Sequence, residues 1–525
     1  MPKPNPDEIV TQGHKRYFYQ LNGAGPGNPI KYAGQDGQYL AMDGVDNPKS
    51  GDVSPINVQN PAKTKSYRRI GRKVDAPDFP TSTINFLEHH GAIPRSLYNM
   101  ADCITTLFEL TGTCKDPSDF LNGWTDYVKV LSSGENTTAT EGGASFDSDD
   151  QIQDDLDFTW LGGVYPVGTL DIGEKAGVTI SIEVVDITYG NRAQCGACGP
   201  DDDGTKLIYA ITDGISSSVG SLPTVYYSTD GGETWTAMPI ATSLATDTPV
   251  SIDVIGQNLV VTVQDGSTGG YYVSEINILT GVPAAFGSLI TTGFVAANQP
   301  NDVYVASPRE VFFCGDNGYI YKSAGNILSG VTAVDSGNAT TNNLQRIHGF
   351  EETIVAVGAS DTAVRSQNRG ATWQAITTAT GSAGTLQSIQ VQTEFLWLVG
   401  DSLGAIYYTE NRAESAWTAL TLPASSLGTI VAIHDIVFVN NEVGYILATT
   451  AAPAAVIFYT WDGGADWTTK GSRMAADFPT ADRINRVAYP VVDNQAVAAN
   501  NIALGGLAGD GSDGIILLGI AGVKG

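Results

Sequence analysis

Two cysteines three residues apart, Cys195 and Cys198, stand just before the aspartates 201–203. This is the densest set of metal-competent side chains in the sequence. A C-x-x-C pair supplies two thiolates, and a structural zinc needs four ligands. The other cysteines, Cys103, Cys114 and Cys314, are isolated, so no second pair completes a site. Redox catalysis wants such a pair at a helix start within a βαβ unit. The flanking Gly, Pro and Asp residues do not offer one. The pair therefore reads as two reduced thiols, or a local disulfide, in a loop. Asp201-Asp-Asp-Gly-Thr205 presents oxygen ligands of the kind calcium prefers, but it lacks a distant bidentate Glu. It reads as a solvated acidic turn. The histidines are His14, His89, His90, His348 and His434. No Ser-His-Asp ordering or phosphate-cradling Gly loop accompanies them. His348 and His434 are expected to satisfy local hydrogen bonds at strand ends. No catalytic residue, metal or cofactor is expected.

The charged residues point to partners. The net charge is −28 over 525 residues. A protein that grips nucleic acid needs clustered Lys and Arg, so that class is excluded as a whole-chain property. One basic cluster interrupts the acidic background: Lys63, Lys65, Arg68, Arg69, Arg72 and Lys73. It reads as the solvated face of a hairpin, as a contact for an acidic segment of a neighbouring copy, or as a local nucleic-acid contact. That acidic segment is 147–157, with Asp149, Asp150, Asp154 and Asp155. The chain opens without an apolar h-region. Its longest apolar run, Gly514 to Val523, is far short of the ~20 residues a membrane span needs. Five sparse cysteines are no disulfide framework. A reducing cytosol and no membrane are the expectation.

The elements that position these residues are strands. Charged residues make up only 16% and Gly numbers 60, a mix that suits short strands and tight turns. The first 170 or so residues differ from the rest. There the apolar positions Leu97, Met100, Ile104, Leu107 and Phe108 share one face at helical spacing. The spacing predicts a helix over Ser96–Gly112, with Pro94 near its start and Gly112 at its end. Thr83–Phe86, Asp126–Leu131 and Asp155–Leu161 read as strands. Together these predict a β-sandwich or small barrel with one packed helix. Gly23–Gly27, Ala41–Asp52 and Ser133–Asp157 read as loops, the last a long acidic arm.

Beyond about Gly177 the sequence repeats. Val225-Tyr-Tyr-Ser-Thr-Asp-Gly-Gly-Glu-Thr-Trp235 has relatives ending in Trp373, Trp417 and Trp467. The separations of these tryptophans are 138, 44 and 50 residues, and the first is three times 46. Two eroded units fill that gap, at Gly270-Tyr-Tyr-Val-Ser and Gly318-Tyr-Ile-Tyr-Lys-Ser. Unit strands begin near 225, 270, 318, 362, 405 and 456, with a last candidate at Gly514. A second set of apolar strands lies between them, such as Leu259–Val263 and Ile354–Gly358. A period in the forties with about four strands per unit predicts a β-propeller of six to seven blades. The seventh is expected to close through a strand at Val178–Val185, which removes exposed sheet edges.

The string Ser228-x-Asp230-x-Gly232-x-Thr234-Trp235 resembles the Asp-box (BNR) repeat at every defined position. Ser366, Asn368, Gly370, Thr372 and Trp373 repeat it with Asn for Asp. Asp462, Gly464 and Trp467 repeat it with Asp466 for Thr. Trp417 ends a copy with one residue inserted. The resemblance implies a folding device, in which side chains bond turn amides, Gly supplies φ > 0 and Trp packs beneath. It says little of chemistry. Sialidases share the box, but their catalysis needs an arginine cluster, a nucleophilic Tyr and acidic partners. The arginines here are few, Arg369 and Arg412 lie inside boxes, and no Phe/Tyr-Arg-Ile-Pro motif occurs.

The N-terminal third resembles tailed-phage tail tube (major tail) proteins. The resemblance rests on Tyr32-Ala-Gly-Gln-Asp-Gly-Gln-Tyr39, Asp43-Gly-Val-Asp-Asn-Pro48, Gly51-Asp-Val-Ser-Pro-Ile56, Gly123-Trp124 and the strand ending Tyr165-Pro-Val-Gly168. It implies an assembly domain over 1–172, a linker strand and Cys loop over 173–204, and the propeller over 205–525. It further implies a non-enzymatic virion protein assembled in the host cytoplasm. Copies of itself would form stacked rings, alongside other tail proteins, and DNA would slide through an acidic lumen unbound. The alternative is an adhesion or spike protein whose propeller binds host surface glycans. A sialidase-like glycoside hydrolase is the third reading.

Overall fold

The computed structural model describes residues 15–21, 31–32, 40–45, 53–59, 67–74, 81–87, 104–111, 127–140, 153–167 and 170–174. From 180 to 521 it describes all but 181, 191–206, 214–221, 468–480, 490–500, 509–512 and several short stretches of one to three residues, among them 440–442 and 461–462. The chain divides into two compact units, 1–24 with 28–167, and 168–525 with 25–27. Both are built of strands, and among the described residues the helices are two single 3-10 turns, Asp316–Gly318 and Ile327–Ser329.

The first unit holds β1 (Lys15–Leu21), β2 (Lys31–Tyr32), β3 (Leu40–Val45), β4 (Val53–Gln59), β5 (Tyr67–Val74), β6 (Thr81–Leu87), β7 (Ile104–Thr111), β8 (Tyr127–Thr140) and β9 (Gln153–Val167). A seven-stranded antiparallel sheet runs β2-β1-β7-β8-β9-β6-β3, and β4 pairs β5 in a separate hairpin. Three expectations are corrected here. Ile104–Thr111, placed by its spacing in a helix, is strand β7, paired with both β1 and β8. Its first residues, Ile104, Thr105 and Thr106, are β-branched and favour the extended form. The arm Ser133–Asp157 is largely a hairpin, since β8 and β9 pair out to Thr140↔Asp155. Only its tip, 141–152, lies outside the described residues. Met42, within a segment read as loop, pairs Ile84.

The second unit is a seven-bladed β-propeller. Blade 7 ends on β10 (Leu170–Glu174), a strand from the start of the unit. Blade 1 is β11 (Val184–Tyr189), β12 (Ile208–Thr212), β13 (Thr224–Ser228) and β14 (Thr236–Pro239). Blade 2 is β15 (Thr248–Ile255), β16 (Asn258–Gln264) and β17 (Gly270–Glu275). Blade 3 is β18 (Pro300–Ser307), β19 (Glu310–Gly315), β20 (Tyr319–Ser323) and β21 (Val331–Ser336). Blade 4 is β22 (Leu344–Phe350), β23 (Thr353–Gly358), β24 (Thr362–Ser366) and β25 (Gln374–Ala375). Blade 5 is β26 (Leu386–Val391), β27 (Trp397–Asp401), β28 (Ile406–Thr409) and β29 (Thr418–Leu420). Blade 6 is β30 (Ile430–Phe438), β31 (Gly444–Thr450) and β32 (Ala455–Thr460). Blade 7 is β33 (Ala481–Ala488), β34 (Asn501–Ala508) and β35 (Gly514–Ala521), joined by β10.

The repeat strings fall on the third strand of every blade. The intervening apolar strings fall on the second. Closure differs from the expectation. The strand that pairs β35 is β10, from Leu170↔Ala521 to Glu174↔Leu517. Of the stretch expected to close the ring, Ile180 makes a single bridge to Gly514, and Val184 begins the innermost strand of blade 1. The boundary expected at 172 thus falls inside a propeller strand.

The apolar core lies between blades. Tyr271 of blade 2 stacks on Phe313 of blade 3 at 5.4 Å, and Phe294 meets Tyr321 edge-on. Burying one such ring is worth about 1.5–3 kcal/mol. Several buried tyrosine hydroxyls find carbonyls. Tyr209 donates to Gly281 of the next blade (2.6 Å) and Tyr304 to Gly349 (2.8 Å). A sheet packed on both faces reads as near-continuous apolar sequence, which is why β23 and β27 are buried throughout.

Candidate functional site at the propeller axis

Each innermost strand carries a β-bulge at an equivalent place, and β18, β30 and β33 carry a second one elsewhere. The equivalent register shifts fall at Val184/Asp186, Pro249/Ser251, Pro300/Asp302, Leu344/Arg346, Leu386/Ser388, Ile433/Asp435 and Ile484/Arg486. A bulge re-aims the side chains around it and disrupts the local ladder. The residue after the bulge is polar in all seven blades: Asp186, Ser251, Asp302, Arg346, Ser388, Asp435 and Arg486.

These residues tie blade to blade. Asp186 Oδ2 accepts the Ile252 amide of blade 2 (2.9 Å). Asp302 Oδ2 accepts the Ile347 amide of blade 4 (3.0 Å). Asp435 Oδ2 accepts the Val487 amide of blade 7 (3.1 Å). Asp186 and Asp435 also accept from the amide that follows them in the chain. Each acid therefore satisfies backbone donors that would otherwise be buried and unpaired. Arg486 crosses the axis, with Nε 3.3 Å from Asp186 and NH2 3.1 Å from Asp302. Arg346 lies 3.7 Å from Asp302.

Burial sets the electrostatics. It raises the Asp186 carboxyl to about 6, against the pull of Arg486. Burial also raises Asp435, opposed by Arg486 and Arg346. Burial and the like charge of Arg486 lower Arg346. For Arg486 burial works against the charge, but Asp186, Asp302 and Asp435 outweigh it and hold the guanidinium ionised. Asp186 is thus a group that changes charge near neutral pH. With their oxygens on amides and guanidinium groups, the acids act as ties between blades.

The axial cluster separates two mouths. The N-side mouth, where inner strands begin, encloses about 350 Å3. It is lined by the bulge residues Val185, Val250, Gln345, Gln387, His434 and Asn485, with Glu183, Asp213, Arg346 and Arg483. Arg483 pairs Glu183, and Asn485 donates to the same carboxylate (2.7 Å). His434 Nε2 lies 2.8 Å from Thr449 Oγ1. The C-side mouth, of about 430 Å3, is lined by Thr188, Asp253, Tyr304, His348, Phe350, Gln390, Gln392 and Tyr489 among others. There His348 Nδ1 accepts the Val391 amide of blade 5 (3.1 Å), which places its proton on Nε2.

The repeat residues sit elsewhere, on the turns that follow third strands, and none lines either mouth. In the first, Ser228 Oγ donates to Asp230 (2.7 Å) and accepts the Gly232 amide (2.8 Å). Asp230 accepts the Thr234 amide (2.9 Å), and Trp235 Nε1 donates to the Gly232 carbonyl. Ser366, Asn368, Gly370 and Thr372 repeat these contacts, with Asn368 Oδ1 taking the Thr372 amide. In blade 5, Thr409 Oγ1 accepts the Ala413 amide (3.0 Å). In blade 6, Gly464 donates its amide to Thr460 Oγ1 (3.1 Å), and Trp467 Nε1 donates to the Gly464 carbonyl. Asp462 lies outside the described residues. Each turn holds two consecutive left-handed residues: Gly231–Gly232, Arg369–Gly370, Arg412–Ala413 and Gly463–Gly464. Trp373 and Trp417 pack on Phe312 and Trp397.

Other expected sites are not brought together. Cys195, Cys198, Asp201, Asp202, Asp203, Lys63, Lys65, Asp149 and Asp150 lie outside the described residues. Arg68, Arg69, Arg72 and Lys73 are on β5, in the two-stranded hairpin. Asp154 and Asp155 are on β9, opposite Phe86 and Asn85 of β6. No group of three or more metal-competent side chains occurs among the described residues. The axial cluster was missed in the sequence. Its signal is an apolar-x-polar triplet once per blade, invisible until the inner strands are aligned.

No protein-family model matches the chain, and no curated protein does. Among solved structures it is similar to YCF48 from Cyanidioschyzon merolae, at 12% identity and a TM-score of 0.46, over 67% of this chain and 98% of that one. It is also similar to YCF48 bound to D1 peptide (11%, 0.44, 67% and 95%). The WD40 β-propeller domain of Doa1 is a third (11%, 0.41, 66% and 96%). Identities this low speak to fold alone.

Proposed function

We propose that the chain is a structural, non-enzymatic virion subunit of tail-tube type. Its N-terminal unit joins copies into stacked rings around a DNA passage, and its propeller, of Asp-box type, is an outer decoration. The supporting observation is the stepped seven-stranded sheet. The strands β8 and β9 are 14 and 15 residues long, on the order of 50 Å each at ~3.4 Å per residue. Their other neighbours cover only half of each. β7 pairs β8 from 127 to 132, and β6 pairs β9 from 153 to 159. Among the described residues, 133–140 of β8 and 160–167 of β9 keep one open edge apiece. Open edges of equal length on opposite sides of one sheet suit head-to-tail pairing between copies. The basic strand β5 and the acidic start of β9 add a complementary contact. Other tail proteins would cap the stack, and DNA would pass without specific binding. The use of the axial acids as ties between blades supports a role without catalysis.

The test is negative-stain microscopy and sedimentation of the full-length protein across concentration and salt. Rings or tubes of uniform diameter are expected. A monomer under every condition overturns the reading. The aromatic and amide lining of the C-side mouth favours a second reading, glycan binding by an adhesion protein, and a glycan array separates the two.

A further inference from the structure

We infer that the N-side mouth of the propeller binds a small oxyanion, a carboxylate or inorganic phosphate, with Arg346 as its anchor. Arg346 is the member of the axial cluster that also lines this mouth. Its ties are slack. NH1 donates only to the adjacent Gln345 carbonyl, at 3.4 Å, and the guanidinium approaches Asp302 at 3.7 Å. Its Nε is buried and makes no hydrogen bond. A guanidinium carries five donors in a planar fork that matches an oxyanion. Leaving such donors unpaired away from water is costly.

The surroundings suit an incoming negative charge. Of the acids on this mouth, Glu183 is held by Arg483 and Asn485, while Asp213 lines the wall beside it. The His434 ring is pushed down to about 4, first by burial, then by Arg483 and Arg346. Glu183 opposes them and Arg486 adds to them. The ring therefore adds no charge of its own to a wall that carries both the Arg346 and Arg483 guanidinium groups. Gln345, a bulge residue on the same wall, supplies an amide donor. The cavity, about 350 Å3, admits a phosphate or a short carboxylate but no folded chain.

The experiment is titration calorimetry on the full-length protein at constant ionic strength, with sodium acetate and with inorganic phosphate, against chloride. Saturable binding of at least one oxyanion is expected. Acetate alone identifies a carboxylate site, and phosphate alone a phosphate site. Arg346→Gln should weaken binding by about tenfold or more, the scale of a charge-assisted hydrogen bond. Gln345→Ala, on the mouth wall, should weaken it several-fold without touching the axial ion pairs. Histidine NMR supplies a second reading, because a bound anion should raise the His434 pKa. No saturable binding of either anion overturns the inference. So does binding that both variants leave unchanged, or binding with no shift at His434.

Discussion

Replacing Arg486 with methionine tests whether the axial cluster ties the propeller together. The guanidinium lies within 3.3 Å of Asp186 and 3.1 Å of Asp302, and all three residues are under 9% exposed. Methionine keeps most of the volume and removes the charge. Two carboxylates then remain buried without their shared partner, a loss of about 3–5 kcal/mol. Taken as one cooperative unit of roughly 350 residues, the propeller has an unfolding entropy of about 0.7 kcal/mol per degree, so Tm should drop by roughly 4–7 °C. The deficit should depend on pH. Asp186 has a folded pKa of about 6, against an ordinary carboxyl value of 3.8 in the unfolded chain. The folded state therefore binds the extra proton between those values, and stability from this group falls as pH rises through the window. Holding Asp186 ionised at pH 7.5 costs the wild type about 3 kcal/mol. Without Arg486 the cost grows. At pH 5 the protonated Asp186 needs no counter-charge, and the deficit of the variant should shrink to about half. Near-UV circular dichroism melts at pH 5 and pH 7.5, wild type beside Arg486→Met, read this directly. Arg369→Ala, which breaks an exposed pair with Glu310, is the control and should cost under about 1 kcal/mol at either pH. A deficit below about 1 °C, or one that does not change with pH, refutes the reasoning.

Two further outcomes follow from the fold. A Cβ on Gly232 would lie 2.3 Å from Leu518 Cδ1, and one on Gly370 2.3 Å from Phe312 Cε1, both at positive φ. Gly232→Ala and Gly370→Ala should each cost about 2–3 kcal/mol in thermal unfolding. Gly266→Ala, also at positive φ but with nothing within 4 Å, should cost only about 1 kcal/mol. Closure by β10 predicts that a chain starting at Gly168 melts well above one starting at Lys175, which lacks the five pairings from Leu170 to Glu174. Equal melting temperatures would show that β10 does not close the ring.

The repeat was legible because its turns are local. Ser228, Asp230 and Thr234 contact one another within seven residues, so the string itself fixes which side chain bonds which amide. Third strands were found by the same marks, and second strands by their apolar content. The strand β7 was not legible. Its apolar residues fit a helical face, and only its backbone pairing to β1 and β8 decided otherwise. The axial cluster was hidden for a related reason. Asp186 and Arg486 are 300 residues apart, and a single Asp or Arg on an apolar strand carries no mark of its partner. A bulge depends on the neighbouring strand, and a buried carboxylate is tolerable only where the next blade offers an amide. By itself the sequence determined a propeller with its turns. Tertiary structure decided which strand closes it, how many blades complete the ring and which charges meet on the axis, because those depend on contacts between segments far apart in the chain.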